Sequence, residues 1–252
     1  MEEAKITFYD ELNDLLPSRD RQRQLYIGFN ERQSIKHIVE SLGIPHTEIG
    51  SLVVNGHNVD FGYLVQSGDD ILVYPAIPDL DRLSGMFKDG QLIIEPRFIL
   101  DNHLGKLASY LRMCGIDAIY RNDYHDEELV QVAVQDQRIL LTRDRQLLMR
   151  KIIPYGYLLR SLDPERQVIE IIRRFDLFKL ISPFHRCLRC NTPLEKIEKE
   201  KIIDRLQPLT KKYFQEFHHC RGCGQIYWRG SHHKRMENLL FRILGSATTE
   251  GI

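Results

Sequence analysis

Apolar and polar residues alternate with the period of strands through the first 75 residues, broken once by helical spacing. Ile6-Thr7-Phe8-Tyr9 and Leu25-Tyr26-Ile27-Gly28-Phe29 read as strands, with a polar, turn-like stretch from Pro17 to Arg23 between them. Ile35, Ile38, Val39 and Leu42 then recur at helical spacing behind Ser34, whose hydroxyl can cap the helix, and Gly43 stops it. Val53-Val54-Asn55-Gly56-His57 predicts a strand entering an Asn-Gly hairpin, and Asp69-Asp70 leads into Ile71-Leu72-Val73-Tyr74. The resulting order is ββαββ.

Beyond a polar segment the pattern changes to strands alternating with helices, which predicts a parallel sheet with helices on its faces. Phe98-Ile99-Leu100 is an apolar strand ending on Asp101, and Leu104, Leu107, Ala108 and Leu111 line one face of a helix stopped by Gly115. A strand at 116–120, a helix at 127–137 and the buried strand Ile139-Leu140-Leu141-Thr142 follow, the last delivering Arg143-Asp144 at its carboxyl end. Tyr157-Leu158-Leu159 is a fourth strand, and Asp163-Pro164 opens a helix with Val168, Ile171, Ile172 and Phe175 inward.

Composition fits a chain of two or three folded units: 252 residues, 42% hydrophobic and 28% charged. No apolar run reaches membrane-span length, and the first residues lack the basic and apolar regions of a signal peptide, so no membrane is involved and a cytoplasmic location with reduced thiols is expected. The net charge of zero hides an uneven spread. Residues 1–91 hold 8 basic and 15 acidic side chains, whereas residues 183–252 hold 13 and 7, so the basic end is the part suited to a polyanion. The expected division is 1–80, a β-rich unit; 81–91, a linker; 92–182, the α/β unit; and 183–252, a cysteine-bearing unit with a C-terminal basic helix.

That last unit carries Cys187-x2-Cys190 and Cys220-x2-Cys223. Two such pairs offer four thiolates to one ion and predict a closed, tetrahedral zinc site; the competing readings are two disulfides or four unrelated core cysteines. A saturated site leaves no position for substrate, so zinc here is structural. Cys114 falls at the end of an apolar helical pattern and reads as core.

The chemistry is expected from the carboxylates. Ligands of an open α/β sheet collect beyond the carboxyl ends of its strands, where Asp101 and Asp144 fall, and Asp126 at a helix start can join them. Clustered carboxylates repel unless a divalent cation neutralises them, and oxygen ligands suit Mg²⁺ or Mn²⁺. Each acid also has a plain alternative as a helix N-cap. Lys106, Arg112, Arg143 and Arg145 are nearby cations for phosphates, with ordinary surface charge as the alternative. Around the cysteines, Lys211, Lys212, Arg221, Arg229, Lys234 and Arg235 interleave with Tyr213, Phe214, Tyr227 and Trp228, a mixture that tracks a phosphate backbone and stacks bases. Phe214 and Phe217 read as core. Ser231 and His232, in the polar run Trp228-Arg229-Gly230-Ser231-His232 after the last cysteine pair, are expected to contact substrate phosphate.

Two resemblances sharpen this. "SLVVNGHNVD" and "SGDDILVYP" resemble the ubiquitin-like β-grasp fold, especially its sulfur-carrier branch, but the last strand runs on into Pro75-Ala76-Ile77-Pro78 and offers no terminal diglycine. The unit is therefore expected to bind or orient, with a protein partner as one use. "FILDNHLGKLASYLRMCGIDAIY", "HDEELVQVA", "RILLTRDRQLL", "RCLRCNTPL" and "FHHCRGCGQIYWRGSHHKRM" resemble the mut-seven C-terminal RNase domain family, a PIN-like nuclease fold with a zinc ribbon. The resemblance implies a metal-dependent ribonuclease acting on single-stranded or structured RNA, with Asp101, Asp126 and Asp144 holding Mg²⁺ or Mn²⁺ and Glu127 as a substitute for Asp126. The competing function is a noncatalytic, RNA- or ribosome-associated adapter in which the acids only cap helices.

Overall fold

The computed structural model describes residues 2–76, 87–88, 91–92 and 96–249. The chain forms two compact units, Met1–Glu95 with Asp126–Leu158 and Pro96–His125 with Leu159–Ile252. The first opens with β1 (Glu2–Phe8), β2 (Leu25–Phe29), α1 (Ile35–Ser41), β3 (Ile49–Val54), β4 (His57–Val59) and β5 (Asp70–Pro75). They form a sheet of order β2-β1-β5-β3-β4, in which only β1 and β5 run parallel, and this is the mixed sheet of a β-grasp. Its local signals act as the sequence predicts. Ser34 Oγ accepts from His37 N (3.3 Å) to cap α1, and Asn55 (φ 50°) with Gly56 (φ 83°) turns β3 into β4.

The segment between β1 and β2 is more than a turn. It holds two 3₁₀ turns, Asp10–Leu15 and Ser18–Asp20, and the first buries Leu12 and Leu15 beneath the sheet's apolar face, because these leucines are three apart and a 3₁₀ turn aligns such positions. Of the expected linker, 81–91, most residues lie outside those described, as do Ile77 and Pro78; β6 (Phe87–Lys88) and β7 (Gln91–Leu92) pair antiparallel.

The middle of the chain supplies β8 (Phe98–Leu100), α2 (Gly105–Met113), β9 (Ala118–Tyr120), α3 (Asp126–Gln135), β10 (Ile139–Thr142), α4 (Arg145–Leu148), β11 (Gly156–Leu158) and α5 (Pro164–Arg174). The parallel sheet with helices is present as two parallel pairs, β8 with β9 in one unit and β10 with β11 in the other. All residues of β8 and β10 are buried, as unbroken apolar runs require. Asp163 caps α5 by accepting from Arg166 N (2.9 Å), with Pro164 in the first turn.

The end of the chain forms β12 (Leu194–Ile197), α6 (Pro208–Tyr213), β13 (Phe217–Cys220), β14 (Ile226–Tyr227) and α7 (Ser231–Thr249). The antiparallel sheet β12-β13-β14 buries its Phe217 and Ile226 against Ile202 and Leu206, with Phe214 partly buried beside them. The polar run ending in Ser231 and His232 is not all loop: these two residues begin the 19-residue α7, which buries Leu240, Ile243 and Ala247 and packs on α5, with Arg242 reaching Glu165 (3.4 Å). No helix among the described residues is long and apolar enough to cross a membrane.

Each parallel pair has one strand whose outer side is sealed by a distant segment. In β8–β9, Phe98 N bonds Asp117 O (2.9 Å), so the N–H and C=O of Ala118 face away from β8. There, Asn191 Oδ1 accepts from Ala118 N (3.1 Å) and Arg112 Nε donates to Ala118 O (2.8 Å). In β10–β11, Leu140 N bonds Tyr155 O (3.1 Å), so Leu158 N faces away from β10, and the buried carboxylate of Glu48 accepts from it at 2.7 Å. Pairing these groups avoids the cost of buried, unsatisfied backbone and closes an edge that would otherwise recruit strands.

Candidate functional site

The four cysteine sulfurs lie within 4.8 Å of one another. Cys187 to Cys223 and Cys190 to Cys220 are 3.5 and 3.3 Å apart, too far for disulfides, which need about 2.05 Å. Zinc–sulfur bonds of about 2.3 Å in a tetrahedron put sulfurs a little under 4 Å apart, so the donor set and its size fit structural zinc. The two turns that present the sulfurs are built alike. Cys187 N bonds Thr192 O and Asn191 N bonds Cys187 O; Cys220 N bonds Gln225 O and Gly224 N bonds Cys220 O, all at 2.9 Å. Each turn closes on a left-handed residue, Asn191 at φ 71° and Gly224 at φ 72°, so the fourth position past the first cysteine admits Asn or Gly and little else.

Polar groups around the sulfurs tune them. Tyr227 Oη lies 3.2 Å from Cys187 Sγ and accepts from Leu188 N (3.0 Å), which leaves its proton for the sulfur. Burial and the neighbouring Cys187 push the Tyr227 hydroxyl well above the usual phenol range, so that proton stays. Crowding splits the thiols. Burial raises Cys190, but hydrogen bonds from Thr192 and from Cys220 and Cys187 outweigh it and bring it down to about 6. Burial pushes Cys223 up to about 12. Cys114 is fully buried, with its thiol raised to about 12 by desolvation, and serves as core.

Arg112, expected to hold phosphate, is 3% exposed. Besides Ala118 O it donates from Nη1 to Leu188 O and Arg189 O (3.0 Å each), the two residues between Cys187 and Cys190. Burial lowers its pKa while Cys187, Cys190 and Asp117 pull it back up, so a cation sits directly behind the thiolates. Arg186 adds bonds to Gly115 O (3.0 Å) and Asn191 O (3.1 Å), and Asn191 Nδ2 donates to Asp117 Oδ1 (2.8 Å). Backbone bonds from Ser182 N to Cys114 O and Phe184 N to Met113 O complete the attachment of the ribbon to the α2–β9 turn. Gly115, at φ 89°, permits it: a Cβ there would lie 2.1 Å from Ser182 O.

The acids sit at the ends of elements. Asp101 follows β8 directly, is half-buried and accepts from Asn102 N (2.6 Å); it belongs to the unit that contains the ribbon. Asp126 and Asp144 belong to the other unit. Asp144 follows β10 by one residue and caps α4, its Oδ1 accepting from Gln146 N (2.8 Å) and Leu147 N (3.4 Å). Asp126 opens α3 and, with Glu127, is bridged by Arg150 at 3.1 and 3.4 Å. Sequence reasoning missed Arg150, whose only signal is a cation one turn past Asp144. Of the expected phosphate ligands, Lys106 on α2, Arg143 after β10, Arg229 between β14 and α7, and Ser231 and His232 at the start of α7 are all exposed.

The ribbon also holds a cavity of about 450 Å³ lined by Phe184, Tyr227, Trp228, His218, His233, Lys196, Arg229 and Glu216 among others. Phe184 has φ 61° and its ring lies 4.1 Å from that of His233. Burial holds His218 below the ordinary histidine range, with Lys196, His185 and Arg229 adding to the effect against Glu216.

A mixed β-grasp sheet, parallel strands flanked by helices and a four-cysteine antiparallel ribbon define a PIN-like α/β chain with a ubiquitin-like front and a zinc-ribbon end. The Mut7-C RNAse domain matches residues 96–240, and the Mut7-C ubiquitin domain matches residues 1–81. The chain belongs to the Mut7-C RNase domain family, which points to a ribonuclease. No curated protein and no solved structure matches it.

Proposed function

We propose that the chain is a metal-dependent ribonuclease in which Asp101, Asp126 and Asp144 hold Mg²⁺ or Mn²⁺ and the basic ribbon holds the RNA. The match to the Mut7-C RNAse domain over residues 96–240 carries this reading. The donor chemistry supports it: all three are carboxylates, they stand at strand or helix ends, and Asp144 keeps Oδ2 for a cation while Oδ1 caps α4. When bound, the divalent ion supplies Lewis-acid stabilisation of the phosphoryl oxygens and an activated water.

The protein's own groups do the rest. Exposed Lys106 and Arg143, near the acids in sequence, orient the phosphate and offset charge developing on it. Arg150 holds Asp126 and Glu127 in place. Arg229, Ser231 and His232 meet the backbone of the strand, with Ser231 and His232 in the first turn of α7, where backbone N–H groups also favour phosphate. Arg112 is assigned to the first cysteine turn and not to RNA, since three carbonyls engage it in the interior. In this reading residues 92–182 carry the chemistry and 183–252 grip the substrate.

The cap on α4 favours a second reading, an adapter in which the acids serve structure alone. Asp144→Asn separates the two, because Asn caps a helix as well as Asp but cannot bind the cation as a carboxylate does. With total cellular RNA and Mn²⁺, cleavage should fall at least about a hundredfold in Asp144→Asn and in Asp101→Asn, with melting temperature and zinc content unchanged. Retained cleavage in both variants would sink the nuclease assignment; absence of cleavage in wild type favours the adapter.

A further inference from the structure

We propose that the 450 Å³ cavity of the ribbon is a pocket for one unpaired nucleotide, with the base against Phe184, His233 and Trp228 and its phosphate on Lys196 and Arg229. This rests on the ribonuclease reading and narrows its substrate to RNA with a base free to leave its stack. The cavity's volume is that of a small-ligand site, which begins near 300 Å³. Its wall is aromatic: Phe184 and His233 pack ring to ring at 4.1 Å and 35°, forming one aromatic surface, and Trp228 is 36% exposed despite its size.

Phe184 is held at φ 61°, a left-handed conformation unfavourable for a bulky residue, so the fold keeps its ring there against local preference. Lys196 and Arg229 have no carboxylate within ion-pair distance among the described residues, unlike Arg186 on the same wall, which reaches Asp117. Glu216 and His218 supply an acceptor and a ring nitrogen for the edge of a base. The histidines are not a second metal site, since the four cysteines are the one group with metal-ligand spacing among the described residues. A duplex cannot use the pocket, because its bases already stack on each other.

The chain has a single tryptophan, Trp228, so its emission reports the pocket directly. Zinc-loaded full-length protein is titrated with adenosine and uridine 5′-monophosphate, ribose 5-phosphate and inorganic phosphate. Saturable quenching by the nucleotides is expected, with ribose 5-phosphate and phosphate at least about tenfold weaker, and with Lys196→Ala, Arg229→Ala and His233→Ala each weakening the nucleotide by about tenfold at unchanged zinc content. Equal binding of ribose 5-phosphate, no saturable change, or wild-type affinity in all three variants overturns the proposal. Wild-type turnover keeps the two readings apart: nucleotide bound by a wild-type protein that cleaves no RNA in Mn²⁺ upholds the pocket and removes the nuclease, whereas cleavage lost in Asp144→Asn but indifferent to all three pocket variants removes the pocket alone.

Discussion

The ribbon and the ubiquitin-like sheet are each fixed to the outer side of a parallel strand, but by different means. The ribbon meets the α2–β9 segment through a buried cation: Arg112 donates to three carbonyls, Asn191 and Arg186 add four further contacts, and the backbone itself crosses over at Ser182 and Phe184. The ubiquitin-like sheet meets the β11 segment through a buried carboxylate and its neighbours. Glu48 accepts from Leu158 N, His46 Nε2 lies 3.2 Å from Ile153 O while its Nδ1 holds Glu40 at 2.8 Å, and Arg145 donates to Gly43 O at 3.3 Å. An arginine forks to several acceptors from one side chain, whereas the contacts to the β11 segment are spread over Gly43, His46 and Glu48. The ribbon should therefore behave as part of its unit, and the ubiquitin-like sheet as the more readily released partner.

The largest expected effect lies on the ribbon side. Arg112→Met should cost about 3 kcal/mol or more, because three interior carbonyls lose their donor and the thiolates their cation, and zinc stoichiometry should fall with it. Denaturant titration together with metal analysis reads this, and an unshifted midpoint would end the claim that the ribbon is integral. Gly115→Ala should cost about 2 to 3 kcal/mol through the clash with Ser182 O and the left-handed backbone, seen as a lower melting temperature.

On the ubiquitin-like side the numbers shrink. Glu48→Ala should cost about 2 kcal/mol by leaving Leu158 N unpaired, and Glu48→Gln less than half of that because an acceptor remains; amide exchange at Leu158 is the direct readout. His46→Ala should cost about 0.5 to 1 kcal/mol and quicken exchange around Ile153. If Glu48→Ala proves costlier than Arg112→Met, the ranking of the two attachments is reversed.

What the sequence made legible was local. Ser34, Asn55-Gly56 and Asp163-Pro164 act on residues within one turn of themselves, and the cysteine spacing names its ligands without any partner farther off. What stayed hidden depends on separation. Arg112 read as a phosphate ligand because its acceptors at Leu188 and Arg189 lie 76 and 77 residues away, and Glu48 read as nothing in particular because Leu158 is 110 residues on. That Ser231 and His232 open the C-terminal helix was not legible in their own polar run, because the apolar residues that commit α7 to a helix, Leu240, Ile243 and Ala247, come more than two turns later. Arg150 was passed over for the same reason, its carboxylates lying 23 and 24 residues back.

The paired cysteine turns contain a natural control. At the position where the first turn has Asn191, the second has Gly224 in the same backbone conformation, so the metal-binding loop itself asks only for a left-handed residue. The asparagine side chain answers to β9 instead, through Ala118 and Asp117. Asn191 is thus one of the side chains, with Arg112 and Arg186, that join the first cysteine turn to the β9 segment. Asn191→Gly should therefore leave the four sulfurs their loop while removing the bonds to Ala118 N and Asp117, so that the fastening of the ribbon and the gathering of its thiols become separable properties of one residue.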